Sequence, residues 1–218
     1  MGAKTSMLVY STGDPKQQLQ RYPALDREAT AALVRRLYPS ARLQELEDGD
    51  LSSYPHYGVI MAGCFPGLAI LADRELALER PSRLPARFID AFRDGVLYLH
   101  AMHSVVDWLA YAFWHQGVLQ RSLSVAPDNG IIEDIGPGLP FEAPYRAGEH
   151  PALDPEDKEG EEDDYPLDFH PLELGEAALL ALFGYQIEGM ADATQLEPER
   201  IPLMCFKRRR SWWPFGSK

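Results

Sequence analysis

The sequence predicts an α+β fold: a mixed, mainly antiparallel sheet of about six strands with two or three helices packed on it. Three observations predict it. Short apolar runs recur between turn-forming residues, two longer segments place their apolar residues at helical spacing, and hairpin-type turns join neighbouring runs.

Met7-Leu8-Val9-Tyr10 reads as a buried strand closed by Ser11-Thr12-Gly13-Asp14-Pro15. A helix is expected over 26–38, with Asp26 as N-cap, Ala29, Leu33, Val34 and Leu37 on one face, and Pro39 as the stop. Arg42 to Glu47 alternates as a strand does, and 58–63 and 68–72 are apolar runs around Cys64-Phe65-Pro66-Gly67. Residues 85–92 suggest a short helix that ends at Asp94-Gly95. Val118 to Val125 alternates strictly, with Leu119, Arg121, Leu123 and Val125 on one side and turns at Gln116-Gly117 and Asp128-Asn129-Gly130. Leu172 to Phe183, ended by Gly184, is a strong helix signal, and Ile201 to Phe206 is expected as an edge strand because Pro202 lacks a ladder donor.

The 218 residues are 45% hydrophobic, enough for one substantial core, and we expect a single globular domain over 1–206. The net charge of -12 argues against a nucleic-acid partner, because phosphate contacts dominate such binding. Two cysteines without CxxC spacing indicate neither a disulfide framework nor a thiolate metal site, so a reducing cytoplasm is the expected location and no cofactor or metal is expected. The N-terminal MGAKTSMLVY has no long apolar segment of the secretory kind, although MGAKTS fits the short myristoylation pattern. Residues 96–115 are long enough to span a membrane, but His100, His103, Ser104, Asp107 and His115 would be costly there.

Between Asp154 and Asp164 stand eight acidic residues and one lysine, so 152–165 is expected to be a solvated, mobile loop. The tail 207–218 inverts that chemistry. Lys207, Arg208, Arg209 and Arg210 are followed by Trp212, Trp213 and Phe215. Three readings stand: a disordered tail, an arm folding onto the acidic loop, or a contact to anionic lipid or a partner, the membrane contact being weak at this charge and ring count.

HAMHSVVDW, residues 100–108, is the stretch richest in chemistry. As a helix, it would align His100, His103, Ser104, Asp107 and Tyr111 into one polar stripe able to hold a metal. As two strands, it would send His100 and His103 to opposite faces. Aromatic alternation from Trp108 to Trp114 and the His115-Gln116-Gly117 turn favour strands, against which stands the lack of a turn former between Met102 and Val105.

MGAKT, AGCFPG (62–67), RPSRL (80–84), LHAMHSVVDW (99–108), RSLS (121–124), GIIEDIG (130–136), LPFEAPY (139–145), AGEHP (147–151) and FHPLELGEAAL (169–179) together resemble an uncharacterised, mainly actinobacterial family known only as a domain of unknown function. The resemblance runs nearly to Phe206 and implies no activity, substrate or catalytic residue. The segment from SVVDW to IEDIG is also similar to a β-meander of immunity-type bacterial proteins, which implies strands there.

His150 and His170 each precede a proline, which sets an extended backbone. With His100, His103 and Asp107 they are the catalytic candidates, which together with Glu133, Asp134 and Glu142 make a polar cleft at one edge of the sheet only if the fold brings them there. Glu133 and Asp134, adjacent on a strand, would face opposite sides and form no acid/base couple. Cys64 reads as a structural thiol, and Trp108 and Trp114 as core. The function expected is a non-catalytic interaction or regulatory module, immunity-like, with an unknown protein partner. The alternatives are a metal-dependent or hydrolase-like enzyme using a His/Asp/Glu cluster, and membrane-surface association through the tail.

Overall fold

Among the described residues the apolar runs pair into one sheet of ten strands rather than about six, and every pairing is antiparallel. The computed structural model describes residues 2–152, 165–189, 192 and 194–209. The strands are β1 (Lys4–Ser11), β2 (Arg42–Glu45), β3 (Gly49–Asp50), β4 (Val59–Phe65), β5 (Leu68–Ala72), β6 (Val96–His103), β7 (Trp108–His115), β8 (Val118–Ala126), β9 (Gly130–Ile135) and β10 (Pro202–Arg209). They lie in the order β2-β10-β4-β5-β1-β6-β7-β8-β9, with β3 pairing β10 beside β2. The excess over six lies in β3, in β9, and in the division of 96–115 into two full strands.

Among the described residues five α-helices cover the sheet: α1 (Pro15–Leu19), α2 (Arg27–Leu37), α3 (Ala86–Ala91), α4 (Ala143–Arg146) and α5 (Pro171–Phe183). Strand alternation divides the core into two layers. Met7, Val9, Met61, Ile70, Tyr111 and Leu123 pack with Leu19, Tyr145, Leu174 and Phe183 on the α1, α4 and α5 side. Leu8, Ile60, Leu71, Leu99 and Trp114 pack with Leu33, Val34 and Phe88 on the α2 and α3 side.

Local chemistry sets the helix ends. The Asp26 carboxylate accepts the Ala29 amide at 2.9 Å and starts α2. Pro171 occupies the first turn of α5, and Gly184, at φ 86°, takes the left-handed conformation that ends it.

Two sequence expectations are corrected here. β10 is an interior strand, not an edge: Pro202 is its first residue, where a missing ladder donor is tolerated, and the strand continues to Arg209. Lys207, Arg208 and Arg209 therefore belong to the sheet. Arg210, Trp212, Trp213 and the acidic segment 153–164 lie outside the described residues. The strict alternation of β8 is also broken. Phe113 pairs with Arg121 and Trp114 with Leu119, so Gln120 is an extra residue that swings Leu119 to the face opposite Leu123. Among the described residues no helix is long and apolar enough to cross a membrane.

Candidate functional site

The β6–β7 hairpin decides the fate of HAMHSVVDW. The strands pair with His100 opposite Tyr111 and His103 opposite Trp108, so the helical polar stripe does not form. The missing turn is supplied by residues 104–107, ending on Asp107 at φ 44°, a left-handed conformation that a short carboxylate side chain tolerates.

His100 is fully buried beneath α5. Its Nε2 lies 3.1 Å from the Gly175 carbonyl and its Nδ1 2.7 Å from the Thr5 hydroxyl. A carbonyl only accepts, so Nε2–H donates to it and the Thr5 hydroxyl donates to Nδ1. Burial disfavours the imidazolium and pulls the pKa down to about 4, the Gly175 carbonyl opposing only in part. The ring is thus a neutral cross-link between β1, β6 and α5. Gly175 permits the approach, since a Cβ there would stand 3.0 Å from the Met102 sulfur.

The other nominated residues do not join it. His103 has the opposite strand parity, and its Nδ1 accepts the Val105 amide at 3.3 Å inside its own turn. His150 is exposed and stacks on Tyr145 with ring centroids 4.6 Å apart. His170 accepts the Leu172 amide at 3.3 Å as the cap of α5, stacks on Tyr165, and brings Nε2 to 3.7 Å from an Asp107 oxygen. Of the five, only His170 and Asp107 meet, at a partly exposed corner. Among the described residues no group of three His, Cys, Asp or Glu side chains is placed to hold a metal.

The strongest polar constructions gather Glu133, Asp134 and Glu142 away from the histidines, around Arg121 and two serines that carried no expected role. Arg121 is completely buried and donates through Nε and Nη2 to the two oxygens of Glu142, at 2.9 and 2.7 Å. It also reaches Asp134, which Arg146 contacts in turn. Burial would raise the Glu142 carboxyl, but the hydrogen bonds from Arg121 and the Leu139 amide outweigh it and hold the group below the ordinary carboxylate value. On the other side of β9, Glu133 accepts the Ser82 amide and hydroxyl at 2.9 and 2.6 Å and the Ser122 hydroxyl at 2.5 Å. Glu133 and Asp134 do face opposite ways. A cation at an inward position of an alternating strand was the available signal for Arg121.

Asp73, also buried, accepts Tyr38 Oη at 2.8 Å and Arg208 Nη2 at 3.0 Å. That fixes Arg208 on the α2 side of β10, where Glu75 takes its other nitrogen at 2.6 Å. Cys64 is half-buried, and burial pushes its thiol above the ordinary value, as suits a structural cysteine.

An open groove lies on the α2 and α3 side of the sheet. It measures about 560 Å³ and lies between α2, α3 and the ends of β1, β4 and β5. Leu33, Leu68, Ala69 and Phe92 make its apolar floor, while Arg36 and Asp94 stand at its rim. Tyr10 stacks on Phe92 at 5.0 Å and its hydroxyl donates to Asp94 at 2.7 Å, so one acidic rim group is already engaged.

A family model covers residues 5–206, which hold the buried clamps and nearly all of the antiparallel sheet. The chain belongs to DUF6928, a family of unknown function. No curated protein and no solved structure matches it. In this DUF6928 chain the matched span ends inside β10, at Phe206, before the three cationic residues that complete the strand.

Proposed function

We propose that this DUF6928 chain is a non-catalytic interaction module that receives apolar side chains of a protein partner in the groove between α2 and α3. The groove carries the reading. Its volume of about 560 Å³ suits one to three side chains, within the range of roughly 300–1,000 Å³ usual for binding pockets. Its floor is apolar, and it lacks the converging free polar groups that orient a small ligand. The dispersal of His100, His103, His150 and His170 supports the same reading, since acid–base or metal chemistry needs such groups within reach of one another.

A peptide-display selection against the purified protein tests it. Peptides with two or three closely spaced aliphatic or aromatic residues are expected. Ala32 is exposed on the groove wall, so Ala32→Arg would obstruct the space without disturbing the core. Binding is expected to weaken at least tenfold, about 1.4 kcal/mol. Selected peptides that bind wild type and Ala32→Arg equally, or no enrichment at all, would refute the groove as the contact.

A further inference from the structure

The apolar floor of the groove between α2 and α3 does not account for the charge on its wall. Ala29, Ala32, Leu33 and Arg36 fall at i, i+3, i+4 and i+7 of α2, so one stripe of that helix faces the groove. The stripe ends in a cation. Arg36 is exposed, and among the described residues its side chain makes one hydrogen bond, a long one of 3.4 Å from Nη2 to the Ala91 carbonyl. Among the described residues no carboxylate stands within ion-pair distance of it. Burial pushes the Cys64 thiol up, and the Arg36 guanidinium is one of the groups that draw it back, so this charge is felt by a side chain lining the groove.

The other charged rim residue is provided for within the fold. Asp94 accepts the Tyr10 hydroxyl at 2.7 Å, and Tyr10 is itself held by its stacking on Phe92. A partner that fills the groove strips water from both rims. Asp94 keeps its bond from Tyr10, whereas Arg36 gives up hydration and retains only the long bond to Ala91. Desolvating a charge without a counterpart is costly, so a purely apolar occupant is penalised at Arg36 and one that carries a carboxylate there is compensated. Geometry sets where that carboxylate belongs. Ala32 and Arg36 are about 6 Å apart along the helix axis at 1.5 Å per residue. Alternate side chains on one face of an extended chain are about 7 Å apart, a close match to that interval.

We propose that Arg36 selects the partner of this groove: an extended peptide segment in which an aspartate or glutamate side chain stands two residues from an apolar anchor. The anchor enters the floor of Leu33, Leu68 and Phe92, and the carboxylate pairs with Arg36. This rests on the groove reading above and adds to it the charge and spacing of the partner. A planar guanidinium takes a carboxylate through two parallel hydrogen bonds, so the choice is made by geometry as well as by charge. Asp94, an anion at the rim, repels the same carboxylate and confines it to the Arg36 end. The net charge of -12 offers an acidic partner no long-range attraction, so the preference arises from the local contact alone.

Fluorescence anisotropy with acetylated, amidated peptides tests this, each peptide holding Phe or Leu as anchor and Glu, Gln or Lys two residues away. On the wild-type chain the Glu peptides are expected to bind about fivefold tighter than their Gln counterparts, with the Lys peptides weakest. The Glu-to-Gln ratio is expected to fall to one or below on Arg36→Gln and to recover in part on Arg36→Lys. Bound Glu peptide is expected to shield Cys64 from N-ethylmaleimide, and Ala32→Arg to weaken every peptide. Equal binding of Glu and Gln peptides to wild type, with both lost on Ala32→Arg, would overturn the role of Arg36 and leave the groove reading standing. An unchanged ratio on Arg36→Gln would do the same, making Arg36 a structural residue. Binding only by peptides with a free C-terminus would assign the carboxylate to a chain end and overturn the side-chain pairing. Binding that survives Ala32→Arg and leaves Cys64 open to labelling, or no binding by any peptide, would remove the groove reading and this inference together.

Discussion

Removing the Glu142 carboxylate is expected to be among the most damaging single changes in the molecule. Glu142→Leu strips the fully buried Arg121 of a two-point acceptor, and it also orphans the Leu139 amide, 2.7 Å from Oε1, and the Arg146 Nε, 3.1 Å from Oε2. Breaking one side of a buried pair leaves an uncompensated charge and costs roughly 3–5 kcal/mol. Asp134 remains as a partner for Arg121, which argues for the lower part of that range. At about 2–4 °C per kcal/mol for a domain of this size, the melting temperature should fall by roughly 6–20 °C. Arg121→Met/Glu142→Leu removes both charges and fills the space with apolar groups, so it should recover most of the loss and lie within about 2 kcal/mol of wild type. Because folding holds the Glu142 pKa below its ordinary value, the pair's stabilisation is complete above that ordinary value and disappears as pH falls through the folded one. Denaturant titrations of the single and double variants, at neutral pH and near pH 4, measure all of this. A single variant within about 1 kcal/mol of wild type, or a double variant no better than the single, would refute the argument that the burial of these charges dominates their energetics.

Three further outcomes follow from the same physics. His100 is neutral in the fold with a pKa of about 4, so its contribution is intact above the ordinary imidazole value and is lost as pH falls toward 4, by about 3 kcal/mol in all. Denaturation midpoints of wild type and His100→Gln between pH 7 and 4.5 should diverge in slope, and parallel curves would contradict the sealed neutral ring. Gly136→Ala places a Cβ 2.0 Å from the Gln120 carbonyl oxygen at φ 79°, and should cost about 2–5 kcal/mol by thermal denaturation; a loss under about 1 kcal/mol would show that the backbone just after β9 moves away from β8 easily. Burial raises the Cys64 thiol, so alkylation at pH 8 should run roughly tenfold slower than with free cysteine, and rapid stoichiometric labelling at neutral pH would mark a reactive nucleophile instead.

Local signals carried much of the fold. Asp26, Pro171 and Gly184 mark helix ends by side-chain and backbone chemistry that acts within a few residues, and α2 and α5 lie where those signals place them. The strand reading of 96–115 rested on aromatic alternation and the His115-Gln116-Gly117 turn, and the opposite parity it implies separates His100 from His103 in the molecule. What local patterns do not contain is partner order. β10 interleaves between β2 and β4 through pairings 142 to 167 residues apart in sequence, so no window of the chain could distinguish an interior strand beginning with proline from an edge strand. The bulge at Gln120 is equally silent, because Leu119 and Leu123 fit strict alternation until the register with β7 shifts.

The stretches through which the chain resembles its family gain a physical meaning from their convergence. Ser82 of RPSRL, Arg121 and Ser122 of RSLS, Glu133 and Asp134 of GIIEDIG, and Glu142 of LPFEAPY meet in two polar clamps on either side of β9. Their hydrogen bonds run to one another and to backbone, and Arg121, Ser122, Glu133 and Glu142 are buried. A clamp of this kind resists removal of either partner and so ties sequence to stability at positions that touch no ligand. His100 does the same between β6 and α5. Loss of function on substituting these residues would therefore follow loss of fold, and would be matched by a fall in denaturation midpoint. Ala32 in the groove is exposed, so a substitution there acts on contacts while leaving that midpoint in place. Comparing binding and stability across the two sets separates what holds this fold from what it is used for.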